Sequence, residues 1–321
     1  MPVYTDMVAL VISITLAFAG TDRLANLERR AEAALSLPYD QRLKVGSEIN
    51  SELDELIRND ELKSGEDFRR VANAYTARDP SDFRVVQAKY ECTLVAVVLG
   101  DAPARHLLAK RWDEFQIASG RPLRLNTIDW RHIPRVPSPK SILDSFTQHE
   151  HSPIESDHPE MRKIMEEDQS DREKMMNSKT FDPSLAGQIA RNDDIRIART
   201  KELLESGALK SANDFWNASL VYQHGKFFDS YLVAHELAVC SLLLGNQKSA
   251  WLCGATYDRM LNNSGRPQRF VTQYQTSPTG EYELVWYETF RINDSMRKAT
   301  TGVTLQQAIE RAKDLLTVFS C

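Results

Sequence analysis

The strongest constraint on the fold is an internal similarity between two stretches of the chain, residues 60–127 and 207–274. Leu62-Lys63-Ser64 with Asp67-Phe68 recurs 147 residues later as Leu209-Lys210-Ser211 with Asp214-Phe215. After a two-residue slip, Ser119-Gly120-Arg121-Pro122 recurs as Ser264-Gly265-Arg266-Pro267. Similarity at so long a spacing predicts two related domains rather than a short-period solenoid.

The two stretches also differ, and the differences point to a site. The shared residues are interpreted as scaffold, whereas polar residues found only in the second stretch are candidates for an added function. The second stretch carries Gln223-His224-Gly225, Ala234-His235-Glu236, Asp258-Arg259, Gln268 and Thr272-Gln273. At the aligned positions the first stretch carries Thr76-Ala77-Arg78, Gln87-Ala88-Lys89, Asp113-Glu114, Leu123 and Thr127-Ile128.

The chain is long enough for two ordinary domains, with 321 residues of which 26% are charged. A net charge of −5 without a face dense in Lys and Arg argues against a nucleic-acid partner. The four cysteines, Cys92, Cys240, Cys253 and Cys321, have no C-x-x-C spacing. We expect them to be small buried hydrophobic residues, and in an exported chain a bridge between Cys240 and Cys253 stays open.

Residues 7–19 form an apolar run that ends in Ala17-Phe18-Ala19. Its length and ending predict a signal peptide at 1–19, although no Lys or Arg precedes the run; it is too short for a transmembrane helix. The prediction places the mature protein in the periplasm or at the cell surface. The alternative is a buried element at the start of a cytoplasmic protein.

Apolar residues at three- and four-residue spacing predict a mainly α fold with two related domains, similar to tetratricopeptide or Sel1 repeats. The predicted divisions are 20–127 for the first copy, 128–156 for a proline-rich linker, and 157–321 for the second copy. Residues 269–275 and 282–287 flank Ser277-Pro278-Thr279-Gly280 and predict a β-hairpin before a last helix over 304–319. The linker histidines His149 and His151 match no recognised ligand set, so no metal site is predicted.

The order of the polar motifs resembles a family of bacterial proteins that carry an uncharacterised domain. The matching motifs are Asp168-Gln169 with Arg172, then Gln223-His224-Gly225, Ala234-His235-Glu236, Asp258-Arg259, Gly265 with Pro267-Gln268, Thr272-Gln273, and Thr301-Gly302-Val303. The family usually has Gly where this chain has Val271. The resemblance covers roughly residues 157–316 and implies a helical, repeat-like fold without an established activity.

Familiar catalytic motifs are absent from the sequence. A zincin helix needs a second His four residues after His235, and Val239 stands there. No nucleophile elbow, Walker A loop or dinucleotide fingerprint occurs either, and the sequence leaves any cofactor unknown.

Two interpretations of the polar set therefore stay open. In the first, His224, His235, Glu236 and Asp258 perform acid–base catalysis, and Gln223, Arg259, Gln268, Thr272 and Gln273 bind the ligand, with Arg259 holding an anionic group. In the second, His224 satisfies carbonyls at a helix end, His235 bonds a neighbouring helix, and Asp258 pairs with Arg259 to lock the packing. The corresponding function classes are an enzyme of unknown reaction and an exported helical module that binds protein or peptide on a concave face.

Overall fold

The computed structural model describes residues 22–76, 82–128, 134–147, 157–178, 182–278 and 280–319. These residues are mainly helical, with one small antiparallel sheet near the C-terminal end. The described residues up to Val136 form one compact unit, unit 1, and those from Pro137 onward form unit 2. The division falls inside the predicted linker. The predicted signal peptide lies outside the described residues and stays a prediction.

The described part of unit 1 consists of helices packed through apolar faces, as the periodicity predicts. α1 packs against α2 and α3, and α4 lies between α3 and α5. Tyr90, Trp112 and Phe115 fill the contact between α4 and α5, with ring centroids 5.1 to 5.7 Å apart. The helices are α1 Arg23–Ala34, α2 Tyr39–Arg58, α3 Gly65–Ala74, α4 Phe83–Val98 and α5 Ala102–Ala118.

Unit 2 is organised around α10, which is rich in apolar and small residues and is buried along most of its length, including at His235 and Glu236. α9, α11 and α6 pack on α10, and α7 packs on both α8 and α9. The elements are α6 Lys140–Thr147, α7 Pro159–Asn177, α8 Pro183–Glu205, α9 Ala212–Tyr222, α10 Phe228–Leu243, α11 Ser249–Asn263, β1 Tyr274–Thr276, β2 Tyr282–Leu284, α12 Asp294–Thr301 and α13 Leu305–Phe319.

α3 and α9 begin with the same capping box, in which a serine and an aspartate satisfy each other's backbone N–H groups. Ser64 Oγ accepts from the Asp67 amide, and Asp67 accepts from the Ser64 amide. Ser211 and Asp214 make the same pair of bonds at the start of α9. The N-cap of α9 is therefore Ser211, and Asp214 occupies the third helical position.

α5 and α11 are each followed by a loop whose backbone amides donate hydrogen bonds to a buried aspartate of the preceding helix. Asp113 accepts hydrogen bonds from three backbone amides of residues 124–127 and from the Thr127 hydroxyl. Asp258 accepts the same four bonds from residues 269–272. Both loops pass through the left-handed region, at Asn126 with φ 58° and Val271 with φ 56°. Val271 therefore occupies a backbone conformation that favours glycine.

The helix boundaries shift part of the sequence alignment by two residues. α4 and α10 both have 16 residues, and their first residues, Phe83 and Phe228, are 145 positions apart. The slip therefore precedes α4, so Tyr90 and Glu91 correspond to His235 and Glu236 in place of Ala88 and Lys89. Glu91 and Glu236 are both fully buried, which means that the glutamate is not particular to unit 2.

The predicted linker contains a short helix, α6, that packs on α10 and α8 and so belongs to unit 2. The Cys240 thiol donates to the Ile142 carbonyl at this contact. His149 and His151 lie outside the described residues. Among the residues that are described, no group of His, Cys, Asp or Glu side chains could hold a metal ion.

The β-hairpin prediction is confirmed, with Tyr274 opposite Leu284 and Thr276 opposite Tyr282. α12, which begins after the Asn293 cap, was not predicted. Cys92, Cys240 and Cys253 are buried free thiols, as expected for small hydrophobic residues, so the bridge between Cys240 and Cys253 is not formed. No described helix is both long and apolar enough to cross a bilayer.

Candidate functional site

The centre of the candidate site is a hydrogen bond between His224 and Asp168. His224 follows the C-terminal cap of α9, and its Nδ1 lies 3.0 Å from Oδ1 of Asp168 on α7. Asp168 is fully buried, and its other oxygen accepts from the Gln169 side chain. The His224 side chain is 18% exposed, and no described residue bonds its Nε2. One ring nitrogen is therefore fixed by a buried carboxylate while the other stays open.

Ion pairs between α7 and α8 hold Asp168 in place. Arg172, one turn after Asp168, lies 3.4 Å from its Oδ1 and donates to Asp193 at 2.6 Å. Arg196 pairs with Asp193 at 3.0 Å and also with Asp171. These antiparallel helices are thus joined by alternating charges that fix the carboxylate facing His224.

Asp171 is the most strongly perturbed acid of this network. Burial alone would raise its pKa, but hydrogen bonds from Asn192, Arg196 and Lys174 hold the pKa well below its usual range. A cleft of about 320 Å³ opens beside these residues and is also lined by Ile195. His224 does not line this cleft, so the cleft and the open Nε2 are separate features.

Arg259 on α11 holds the backbone that carries His224. Its Nη1 donates to the Gln223 carbonyl at 2.7 Å, and its Nε donates to Gln273 Oε1 at 3.1 Å. Gln273 is itself fixed, because its amide donates to the Ala255 carbonyl at 3.1 Å. No carboxylate of the described residues pairs with Arg259. Burial lowers the Arg259 pKa, and the nearby Arg172 lowers it further.

Gly225 completes the turn after His224. A Cβ at this position would lie 2.3 Å from the Cβ of Ser230, in the first turn of α10. Only glycine therefore allows the turn to approach α10 so closely. The Gln-His-Gly motif thus combines an anchored carbonyl, an oriented imidazole and a sterically required glycine.

His235 lies apart from this arrangement, inside the core of unit 2. The residue is fully buried, its Nδ1 is 3.1 Å from Thr256 Oγ1, and its ring is 5.3 Å from that of Tyr257. Because the Thr256 hydroxyl donates to the Leu252 carbonyl at 2.7 Å, the shared hydrogen belongs to Nδ1. Burial lowers the His235 pKa to about 3, so the ring is neutral at physiological pH. These contacts match the structural interpretation, in which His235 bonds a neighbouring helix.

Glu236 is also buried in the core. Its Oε2 accepts from the hydroxyl of Ser138, 2.7 Å away, in the segment that precedes α6. This bond joins the former linker to α10. Together with the fully buried Glu91 in unit 1, it points to a structural role for Glu236.

Asp258 does not pair with its neighbour Arg259 as one interpretation expected. Its two oxygens face the loop over residues 269–272 and accept the four bonds described above. Burial raises the Asp258 pKa to about 6, against the effect of the backbone donors. The carboxylate is thus ionised at neutral pH and holds the loop.

Gln268 and Thr272 support the same loop. The Gln268 amide donates to the carbonyls of Gln273 and Val285 at 2.9 and 2.7 Å, and its oxygen accepts from the Gln273 amide. Thr272 donates to Asp258 at 2.8 Å. The positions of Gln268 and Thr272 indicate that they place Gln273, which in turn contacts Arg259.

The structure therefore separates the nine predicted site residues into two groups. Gln223, His224, Arg259 and Gln273 lie together with Asp168 and Arg172, while the other five are engaged in the core or in its loops. Asp168 and Arg172 belong to a sequence motif but are not among the nine predicted site residues. Tyr231, in the first turn of α10, was missed; its phenol is close enough to Arg259 to raise the Arg259 pKa.

Comparison of the chain with models of protein families, with curated proteins and with solved structures finds no match.

Proposed function

We propose that unit 2 is an enzyme in which His224 acts as a general acid–base group oriented by Asp168. The observation that supports this proposal is the asymmetry of the imidazole, whose Nδ1 faces a buried carboxylate while its Nε2 is open. A carboxylate that accepts from Nδ1–H leaves the lone pair on Nε2, which can then take a proton from a substrate or from water. Asp168 stabilises the imidazolium that forms, and the proton returns to the leaving group.

The surrounding contacts suit this role because they fix the dyad on rigid elements. Asp168 lies in the middle of α7, and Arg172 and Arg196 hold it against α8. On the other side, Arg259 holds the carbonyl that precedes His224. Catalytic side chains need such support, since small displacements cost large factors in rate.

A structural or binding module remains a second candidate, favoured by the buried hydrogen bonds of His235, Glu236 and Gln268. In that case His224 and Asp168 would only join α9 to α7. An exported helical module could then use its surface to bind protein or peptide. The two candidates differ in what replacement of His224 does.

The deciding experiment combines activity and stability of His224→Gln. Glutamine keeps a donor for Asp168 but cannot carry the proton. With a panel of p-nitrophenyl esters and phosphates, we expect turnover by the wild type and a loss of about 10²–10⁴-fold in kcat for this variant. We expect Asp168→Asn to reduce kcat similarly and the exposed His106→Gln of α5 to leave it unchanged.

The stability readout separates the second candidate. Under the enzyme proposal, His224→Gln changes the melting temperature less than His235→Gln does, because the partly exposed ring contributes less packing. A large loss of melting temperature for both variants, with unchanged hydrolysis by His224→Gln, would favour the module instead.

We also infer that units 1 and 2 descend from one helical unit by duplication. The matching capping boxes and the four-bond aspartate loops support this, and so do the isolated bridges of Leu123 with Arg135 and Gln268 with Tyr287. At the site positions unit 1 has Thr76 in place of Gln223 and Glu114 in place of Arg259. Unit 1 thus acts as a scaffold copy without the proposed catalytic set.

A further inference from the structure

We propose that the substrate of the His224 site carries an oxyanion, a phosphate or a carboxylate, that binds to Arg259 with the help of Arg172 and Tyr231. This inference rests on the proposed function, because it names the chemical class of the molecule on which His224 acts. Two observations support it: among the described residues, the positive charge of Arg259 has no counter-ion, and several hydrogen-bond donors around Arg259 have no partner.

The charge balance leaves Arg259 without a counter-ion. The three acids of the α7–α8 network are already matched by three cations of the same network. The acids are Asp168, Asp171 and Asp193, and the cations are Arg172, Lys174 and Arg196. Within the described residues no further carboxylate lies within salt-bridge distance of Arg259. The site therefore has one positive charge in excess.

The position of the Arg259 guanidinium is unfavourable for a positive charge. Arg259 is half-buried, and its pKa is lowered first by burial and then by Arg172. A desolvated cation next to a second cation is unfavourable unless an anion compensates for it. A bound oxyanion would supply that compensation.

The donors around Arg259 are also incompletely used. Gln223 and Gln273 occupy Nη1 and Nε, and no described residue bonds Nη2. The Nε of Arg172 is buried and has no hydrogen-bond partner. The Tyr231 hydroxyl likewise has no partner among the described residues. Guanidinium and phenol donors around one uncompensated charge suit an oxyanion with several acceptor oxygens.

The test is isothermal titration of the intact protein with inorganic phosphate and, separately, with acetate, at low ionic strength. We expect one saturable site in the wild type for at least one of the two anions. Arg259→Gln should weaken binding by about tenfold or more, since it removes a charge-assisted bond. Arg199→Gln, an exposed arginine of α8 paired with Glu160, is the matched control and should bind like the wild type. The anion that binds more tightly identifies the oxyanion class.

A second variant keeps the test decisive if Arg259→Gln does not fold. Gln273→Glu places a carboxylate where Gln273 Oε1 now accepts from Arg259 Nε, 3.1 Å away. We expect this internal anion to reduce phosphate and acetate binding by about tenfold or more and to raise the melting temperature. Absence of anion binding in the wild type, or equal binding by the wild type and Gln273→Glu, would overturn the inference.

The His224→Gln variant distinguishes this inference from the proposed function. Because the anion subsite is formed by other side chains, we expect this variant to bind phosphate or acetate within about threefold of the wild type. If His224→Gln still binds the anion, the anion subsite is supported. If the same variant also hydrolyses the substrate panel as well as the wild type, catalysis by His224 is refuted. A complete loss of anion binding in His224→Gln would overturn the subsite as assigned.

Discussion

Replacing His235 by glutamine should reverse the order of stability between variant and wild type as the pH falls. At pH 7 the imidazole is neutral and bonded to Thr256, and glutamine retains an N–H donor for this contact. We expect the variant to lose only about 1–2 kcal/mol at this pH, from poorer packing against Tyr257 and one weakened hydrogen bond. At lower pH the wild type must bury a charge that the variant does not have.

The magnitude follows from the pKa of His235, which burial lowers from its ordinary 6.5 to about 3. Between these values the unfolded chain binds a proton that the folded chain does not, so stability is present above pH 6.5 and is lost as the pH falls toward 3. At 1.36 kcal/mol for each pKa unit, the loss between pH 7 and pH 4 is about 3 kcal/mol. The variant should therefore be less stable than the wild type at pH 7 and more stable at pH 4.

Asp258→Asn should show a pH dependence of stability, relative to the wild type, that is opposite in sign to that of His235→Gln. Burial raises the pKa of Asp258 from 3.8 to about 6, so the folded protein binds a proton before the unfolded chain does. This group adds stability as the pH falls through 6, and the contribution reaches about 2 kcal/mol at pH 4. The wild type should thus gain stability relative to Asp258→Asn on acidification, whereas it loses stability relative to His235→Gln.

The assay is urea unfolding followed by circular dichroism at pH 7, 6, 5 and 4 for the wild type and both variants. When unfolding free energies are compared between proteins at the same pH, the contributions from the titration of all unchanged groups cancel. If the gap between wild type and His235→Gln stays constant over this range, the ring is not kept neutral by burial and the structural role assigned to it is refuted.

Two further changes test packing away from His235. Gly225→Ala should lower the free energy of unfolding by about 1–3 kcal/mol, because the added Cβ clashes with Ser230. Adding Ser230→Gly to this variant should restore most of that loss, as measured by thermal unfolding. The control is Gly187→Ala, because a Cβ at this position would meet nothing closer than 3.7 Å. Lys89→Met should stabilise unit 1 at pH 7 by up to ~3 kcal/mol, because burial lowers the Lys89 pKa from 10.5 to about 8. Between pH 8 and pH 10.5 the unfolded wild-type chain holds a proton on Lys89 that the folded chain does not. The stability advantage of Lys89→Met should therefore decrease as the pH rises through 8 toward 10.5. A difference in unfolding free energy that does not change with pH would contradict this reasoning.

Most helices could be predicted from the sequence because their signals are local. Their apolar residues recur every three or four positions, and capping residues such as Ser64, Asp101 and Asp182 stand directly before the first helical residue. α6 and α12 were missed because eight residues carry little periodic signal, and both depend on packing against larger helices. The two-residue slip in the alignment of residues 60–127 with 207–274 was misplaced for a related reason, because the position of a short insertion is not determined until the helix ends fix the register.

By itself, the sequence determined the helical class and the hairpin, both of which depend on residues close together in the chain. It also determined the two-part organisation, through the similarity between residues 60–127 and 207–274. Tertiary structure alone decided which polar groups meet. Asp258 and Arg259 are adjacent in sequence, but neighbours on a helix point about 100° apart, so one faces the loop and the other faces Gln223. Conversely, Asp168 and His224 are 56 residues apart and meet only because α7 packs against α9.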